Sequence, residues 1–521
     1  MRKFKYIYWA GALILTLLTT NAAVAQEAAK SSSPASIELL KARSLWFNTN
    51  NGAGLTLDNL YTFSDLNFMY NLKSGDFKKN QEGEKESQFG VSTEGGVKLG
   101  GGYAWGSFSY DNETQKNALF NTTMLDPDRG VPFYTVDQNL SEWKKQNYKL
   151  EMNVASKLLY NRYIVGIQGE YIARTGAKQI DPRSVADYYS ITVKPGVVAL
   201  FGDHKIGLNA VYKNMIQESS HTNSNSQQHQ DVYVVKGVGN FYSAVVGGLQ
   251  GLGRFVYNAN TLGGDLQYSY SFSDISLLLS GHYSLRVEDV ISDPTKPKKE
   301  GSVKEDLISA NLKVIKQGVN LNTLEISYSN SQSSGIEYVQ ILDNSPDVRS
   351  WVDVYSSIRS GFDNINMTLK YDFFKGAEHE YKWRAGVVAN YRDNDDIYFL
   401  PRSKMRVENL FIGINAKRNI PLKLSDKLIL GADVTYKNNL NGYYFYNGAD
   451  PDSPVITQFM TPDFEYMKRD YIKVGGEISY FTRVSKSSKS GVFLKIAADY
   501  YKPIEGEGNR MQTSFGLGFT F

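Results

Sequence analysis

The last twelve residues, Arg510 to Phe521, read R-M-Q-T-S-F-G-L-G-F-T-F. Taken in twos they separate into two sets. Met511, Thr513, Phe515, Leu517, Phe519 and Phe521 fall on one side, and Arg510, Gln512, Ser514, Gly516, Gly518 and Thr520 on the other. Successive side chains of a strand point to opposite faces, so this period of two predicts a β-strand with one aromatic face and one small or polar face. An amphipathic edge strand of a soluble sandwich carries the same pattern. The fold therefore turns on how often, and at what length, the pattern recurs upstream.

It recurs from Leu55 onward. Tyr148, Leu150, Met152 and Val154 alternate with Lys149, Glu151 and Asn153, and Leu277, Leu279, Tyr283, Leu285 and Val287 with Ser280, His282, Ser284, Arg286 and Glu288. Ile365 to Phe373, Trp383 to Tyr391, Leu428 to Tyr436 and Ile472 to Tyr480 repeat it. Many runs reach ten residues or more, against about 5–6 for strands of soluble proteins. Short polar turns near 100–101, 159–161, 202–203, 273–274, 316–318, 375–376, 419–427 and 486–491 alternate with longer segments near 79–86, 113–140, 175–183, 219–260, 292–301, 333–360, 396–401, 442–466 and 503–507. That sidedness predicts an all-β chain: a single transmembrane antiparallel up-and-down β-barrel with short periplasmic turns and long extracellular loops. The count is about 18 strands, in a range of about 14 to 18 because the runs at 55–78 and 350–361 are the weakest. The last strand should pair with the first and remove the open edge.

The other end of the chain sets the compartment. Arg2, Lys3 and Lys5 precede an apolar run from Tyr6 to Leu18 and then Ala23-Val24-Ala25. This predicts a signal peptide over 1–25. Residues 26–54 are expected to be a periplasmic leader. In it Ser33-Pro34 starts a short helix ending near Phe47, either resting at the barrel mouth or frayed; the barrel then occupies 55–521. There is no Cys, hence no lipoprotein attachment, disulfide framework or thiolate chemistry. Tyr (36) outnumbers Phe (26), which suits the aromatic girdles of a barrel. Lys+Arg 57 against Asp+Glu 54 leaves +3, with no concentrated basic face for nucleic acid.

Facing Lys or Arg into the bilayer midplane costs roughly 2–4 kcal/mol, so the charged faces must line the lumen. The lumen candidates are Lys149, Glu151, Arg286, Glu288, Lys370, Asp372, Lys382, Arg384, Lys473, Glu477 and Arg510, with Arg510 near the outer rim. Both signs occur, which argues against a one-sign selectivity field. The 219–260 segment joins a polar stretch holding His221 and His229 to an apolar, Gly-rich one. Its expected fates are to fold inward as a constriction, to continue as a hairpin, or to cover a partner. The eight residues between the two His form no metal-ligand spacing. Asp126-Pro127-Asp128 and Asp450-Pro451-Asp452 read as turn formers before Ca²⁺ ligands, and Tyr443 to Tyr446 as rim aromatics. Ser280 and Ser284 flank His282, but no nucleophile motif accompanies them. Neither an enzyme, a cofactor nor a metal site is predicted.

The signal, the barrel pattern and the terminal Phe resemble outer-membrane proteins of Bacteroidota, and Phe515, Leu517, Phe519 and Phe521 resemble the signal read by the barrel-assembly machinery. Arg43-Ser44-Leu45-Trp46-Phe47 leading into Asn50-Asn51-Gly52-Ala53-Gly54-Leu55 resembles the opening of a poorly characterised barrel family of those bacteria, of the kind found beside TonB-dependent receptors. The resemblance implies porin-like or accessory work in nutrient uptake, an iron compound included. The alternative is a non-conducting scaffold that docks with a surface lipoprotein, a TonB-dependent receptor or secretion machinery. Outer-membrane lipid and the assembly machinery are the other expected partners. A TonB-dependent receptor itself is not expected: residues 26–54 are too few for a plug, and the strands fall short of the about 22 of such transporters.

Overall fold

The computed structural model describes residues 33–521 except 126–131, 226, 248–251, 293–295, 346–349, 377–378, 423–425, 486–487 and 489. The expected signal peptide, the first residues of the expected leader and Asp126-Pro127-Asp128 lie outside the described residues. The chain starts with helix α1 (Pro34–Arg43) and a 3-10 helix (Gly52–Asp58). Strands β1 (Phe63–Gly75), β2 (Lys85–Leu99), β3 (Gly102–Ala118), β4 (Tyr134–Val136), β5 (Ser141–Ala155), β6 (Tyr163–Lys178) and β7 (Arg183–Phe201) follow. Next come β8 (His204–Thr222), β9 (Gln230–Gly237), β10 (Asn240–Val246), β11 (Arg254–Phe272), β12 (Ile275–Ser292), β13 (Lys298–Gln317) and β14 (Leu321–Asp343). The chain ends with β15 (Ser350–Lys375), β16 (Trp383–Tyr398), β17 (Ser403–Pro421), β18 (Lys427–Phe445), helix α2 (Thr461–Lys468), β19 (Tyr471–Arg483), β20 (Gly491–Pro503) and β21 (Arg510–Thr520).

Eighteen strands form one antiparallel sheet in which each pairs with its neighbours along the chain, and β1 pairs with β21 to close it. The closing register sets Tyr70 opposite Phe515 and Phe68 opposite Leu517. Both edges of every barrel strand are thereby paired, which removes the template for aggregation an open edge presents. Strands β4, β9 and β10 stand apart as a three-stranded sheet. The longest connections, β3 to β5, β8 to β11 and β18 to β19, all lie at one end, as the spacing predicts, although β6 and β7, and β16 and β17, are joined there by only four residues; both ends of the barrel sheet lie at the opposite, short-turn end.

The side-chain period builds the two surfaces. Leu150, Met152 and Val154 of β5, Leu266 of β11, Ile308 of β13, Ile414 of β17, Ile478 of β19 and Phe515 and Leu517 of β21 stand exposed on the outer face. Among their alternate neighbours, Glu151 pairs with Lys149, Asp265 accepts from Asn50 and Asn209, and Glu477 pairs with Lys417 and Lys495. At the terminus Phe521 is exposed, while its backbone N–H donates to Ser64 O at 2.9 Å. Replacing Phe521 with Asp should lower the fraction of barrel inserted in vivo, read as the heat-modifiable band on a gel, without altering the behaviour of the molecules that do insert. Normal insertion of the variant would remove Phe521 from the assembly signal.

Three boundaries differ from the sequence reading. Strand β1 begins at Phe63 and not at 55: the Gly-rich 52–58 stretch coils into a 3-10 helix whose Asn51 side chain accepts from Ala53 N–H. Helix α1 stops at Arg43 because Asp58 takes the N–H groups of Leu45 and Trp46 at 2.8 and 3.0 Å, turning the chain out of the helix. The segment 333–360 is not a loop: β14 and β15 continue through it, paired as far as Asp343 and Ser350.

Candidate functional site: a plugged and lidded lumen

The sequence reading has the leader resting at the mouth or frayed, and too short to fold as a plug. Residues 33–60 instead fill the short-turn end of the lumen. Ala35, Leu39, Leu45, Trp46, Ala53, Leu55 and Leu60 are buried in one cluster with Tyr103, Ile164, Val198, Leu278, Ile315, Phe374 and Ile429 from strands around the wall. Each large apolar side chain so buried contributes about 1.5–3 kcal/mol. Twenty-odd residues suffice because the wall is built inward to meet them.

Part of that wall is backbone. Gly166 (β6), Gly196 (β7) and Gly207 (β8) sit under Asn51 to Ala53. A Cβ on Gly166 would lie 2.6 Å from Ala53 Cα, one on Gly196 2.9 Å from Asn51 Cγ, and one on Gly207 2.9 Å from Asn51 Nδ2. Only glycine allows this approach on three successive strands. Gly166→Val should therefore dislodge the plug while leaving the barrel closed, seen as loss of an engineered disulfide between plug and wall with heat-modifiability retained. Retention of the disulfide at wild-type yield would show that the close approach is dispensable.

Polar clamps hold the rest. Glu38 accepts from Tyr381 Oη at 2.6 Å and pairs with Arg384, with Lys417 at 3.5 Å. Lys41 reaches Glu94 of β2 at 2.6 Å. Asn50 donates to Asp265 at 2.9 Å and accepts from Lys194 at 2.7 Å, and Asn51 donates to Gln267 at 2.9 Å. Lys313 donates to Ser44 O at 2.7 Å. These contacts come from β2, β7, β11, β13, β16 and β17, so the plug is tied across the full width of the lumen. Burial pushes the Asp58 carboxyl up to about 6, against the lowering effect of the Trp46 and Leu45 N–H groups it accepts from.

The long-loop end is covered by the 219–260 segment. After β8 it forms the β9–β10 hairpin, joined by β4 as a third strand. The hairpin spans the mouth: Lys236 pairs with Glu337 of β14 at 2.6 Å, Tyr242 donates to Glu300 of β13 at 2.7 Å, and Asn240 lies against Ser403 of β17. Under it Phe120 stacks on Phe459 at 5.0 Å, in a cluster with Val136, Val235, Val455 and Met460. Val232, Tyr233, Val234, Val235 and Val238 of the apolar half are buried here, while Val245 stays exposed. His221 is buried between Ser184 Oγ (2.8 Å) and Thr135 Oγ1 (3.4 Å), whereas His229 is exposed. Among the described residues no three His, Cys, Asp or Glu stand together as metal ligands. Tyr443 is exposed beside Lys404, while Tyr444 turns into the lid against Phe464.

Between plug and lid lies a cavity of about 1390 Å³. Of the residues singled out in the sequence, Lys149, Arg286 and Lys473 line it. Lys149 pairs with Glu151 at 2.9 Å and with Glu170, Arg286 with Glu305 at 2.8 Å and with Glu288, and Lys473 with Asp433 and Asp499 at 3.0 and 3.1 Å. Lys370, Asp372, Arg384 and Glu477 lie lower, at the plug: Arg384 bridges Asp372 (2.9 Å) and Glu38, Lys370 pairs with Asp372 at 3.5 Å, and Glu477 pairs with Lys417 and Lys495 at 2.8 and 3.0 Å. Arg510 is buried at the long-loop end against Gly83 O (3.1 Å) and Glu86 (3.4 Å). Lys382 departs from this set: it is exposed in the short turn before β16, beside Gly376, because the strand starts one residue after it. Phe515, Leu517 and Phe521 face outward with Phe519 beside them.

His282 Nδ1 lies 3.0 Å from Asp265 and its Nε2 3.1 Å from Ser284 Oγ. Ser284 is buried and lines neither the main cavity nor the smaller one of about 170 Å³ beside the plug. With Asp265 already clamped by Asn50 and Asn209, the trio braces the plug. The plug residues and the wall glycines are what sequence reasoning missed. The available signal was glycine at inward parity on three successive strands, opposite a small, polar Asn-Asn-Gly-Ala-Gly run.

The sequence profile of a family described as a family of unknown function (DUF6850) matches residues 52–521. No curated protein matches the chain. Among solved structures, the chain is similar to the RagAB peptide transporter (7% identity, 88% of this chain and 86% of that one, TM-score 0.42). It is also similar to the ferric enterobactin receptor PfeA of Pseudomonas aeruginosa, solved as a mutant (10%, 88% and 80%, TM-score 0.41). The ferric preacinetobactin receptor BauA of Acinetobacter baumannii gives 10% identity, 88% and 80% coverage and a TM-score of 0.40. At these scores the overlap carries no functional information.

Proposed function

We propose that this chain, which belongs to the DUF6850 family of unknown function, is a gated outer-membrane barrel that takes a small polar solute across the membrane. The membrane assignment is supported by the apolar side chains exposed around the outer wall, a surface far larger than the few hundred Å² a soluble monomer tolerates. One observation carries the transport reading: a cavity of about 1390 Å³, lined by charged, polar and apolar side chains together, that lies between a plug from the N-terminal side and a lid from the loops. A structural scaffold has no use for a chamber behind two doors. An always-open porin has no use for the doors.

Conductance in planar bilayers tests it. The full-length barrel should be silent and barrels lacking both closures should conduct; an inserted double deletion that stays silent would overturn the transport reading.

A scaffold reading keeps one specific observation in its favour. The ends of β14 and β15 project past the pairing of β13 and β16, with Val339, Ile341, Val352, Val354, Tyr355 and Ile358 exposed. A partner such as a surface lipoprotein or a TonB-dependent receptor would dock there. Replacing Val352, Val354 and Ile358 with Ser would release such a partner from a pull-down, and a wild-type barrel that retains none would remove this reading.

A further inference from the structure

We infer that the chamber is built for a zwitterionic solute carrying both a carboxylate and an ammonium group, the chemistry of an amino acid or short peptide. This rests on the gated-transport reading and adds the class of cargo.

The cavity's charges fall into two groups. Most are spent within the wall: Lys145 pairs with Glu113 at 3.3 Å, Lys473 with Asp433 and Asp499, and Arg286 with Glu305. Four are not. Arg174 on β6 and Arg392 on β16 both line the cavity, and among the described residues neither has a carboxylate partner. Each guanidinium lies over an aromatic ring, Arg174 over Tyr188 and Arg392 over Phe411, both at 5.2 Å; Arg392 Nε also donates to Asn390 Oδ1 at 2.8 Å. A ring face orients the guanidinium without consuming its hydrogen-bond donors. The fork is left free for a planar, bidentate acceptor, which is what a carboxylate is.

Each arginine also has an acid on its own side of the chamber with no cation beside it. Asp396 stands two inward positions beyond Arg392 on β16, about 13–14 Å along the strand, and carries a buried carboxylate oxygen without a hydrogen-bond partner. Asp111 on β3 has the Gln88 side chain beside it and no ion-pair partner among the described residues. β6 and β16 lie eight strands apart in a ring of eighteen, so the two arginine–aspartate sets face each other across the lumen. An anion alone would satisfy the arginines and leave the acids bare, and a cation alone the reverse. A solute with both charges satisfies one wall at a time and passes from one set to the other.

Trialanine is the probe. Calorimetric titration into the detergent-purified full chain, and into the barrel lacking 33–58, should show saturable binding. Trialanine amide, which lacks the carboxylate, and N-acetyl-trialanine, which lacks the ammonium, should each bind roughly tenfold or more weakly, the size of one lost charge-assisted hydrogen bond. Arg174→Gln with Arg392→Gln should cost as much against trialanine and nothing further against its amide. No trialanine binding to either protein overturns the inference, as does equal binding of all three probes or undiminished binding by the double variant. The conductance experiment stands apart from these outcomes: a conducting double deletion with no preference among the probes would keep the transport reading and discard the zwitterion.

Discussion

Barrels lacking residues 33–58, and with 231–245 replaced by a two-residue turn, should pass a steady ohmic current where the full-length protein gives no resolvable steps. The excisions are conservative for the barrel. Gln230 and Val246 are paired across the β9–β10 hairpin, so cutting it away leaves ends about 5 Å apart that a tight turn closes. The plug lies wholly before β1, so its removal takes no strand from the sheet. Single deletions should each leave one closure in place. Removing the hairpin alone keeps the clamps of Glu38, Lys41 and Asn50 intact, and current should stay near the full-length baseline. Removing 33–58 alone opens the short-turn end but leaves the Phe120–Phe459 stack and the hairpin across the other, giving brief, noisy openings. This ordering distinguishes two doors in series from one decisive gate. Current restored in full by either deletion alone would show that the other closure does not seal.

How much of this was legible in advance depends on which force set each element. The barrel was legible because one constraint, apolar out and polar in, acts at every second residue of eighteen strands and cannot be satisfied by chance over that length. Its closure followed from the same count, and β21 pairs with β1 as the terminal dodecamer demanded. The lumen charges were expected by elimination, since lipid forbids them. Lys382 failed because parity says which way a residue points and not whether the strand has begun. The plug was illegible for a different reason. Its stability comes from contacts more than a hundred residues distant, Glu38 with Arg384 or Asn50 with Asp265, and no local period announces such pairs. The length argument against it assumed a plug must carry its own core; here Leu39, Trp46 and Leu55 borrow one from the wall. The 219–260 segment was half legible: its composition required burial, but the surface that buries its apolar strand is assembled from residues 119–125, 132–141 and 447–470, which have no pattern in common with it.

The lid also contains the pair whose loss should be felt most. Lys178 at the end of β6 donates to both Asp137 oxygens, at 2.7 and 2.6 Å, and both side chains are fully buried. Asp137 further accepts from Asn139 N–H at 2.9 Å, and burial pushes its carboxyl upward against the lowering influence of Lys178. Removing one partner strands a buried charge, at a cost of about 3–5 kcal/mol. Lys178→Met should therefore free the 132–141 segment from the barrel rim. Amide exchange there should accelerate by roughly a hundredfold or more, the equilibrium equivalent of that cost, while exchange in β18 to β20 stays unchanged. The segment carries β4, the third strand of the lid sheet, and follows Phe120 of the aromatic stack. Loosening it should also add brief openings to a barrel already lacking 33–58, without affecting one that retains its plug. The companion variant, Lys178→Met with Asp137→Leu, removes both charges and should recover most of the protection, since a buried pair replaced by apolar side chains is often neutral or better. If the single variant leaves exchange unchanged, the pair does not hold the lid; if the double variant is as loose as the single, the lid depends on hydrogen bonds from Asp137 that leucine cannot make, with Asn139 the first to examine.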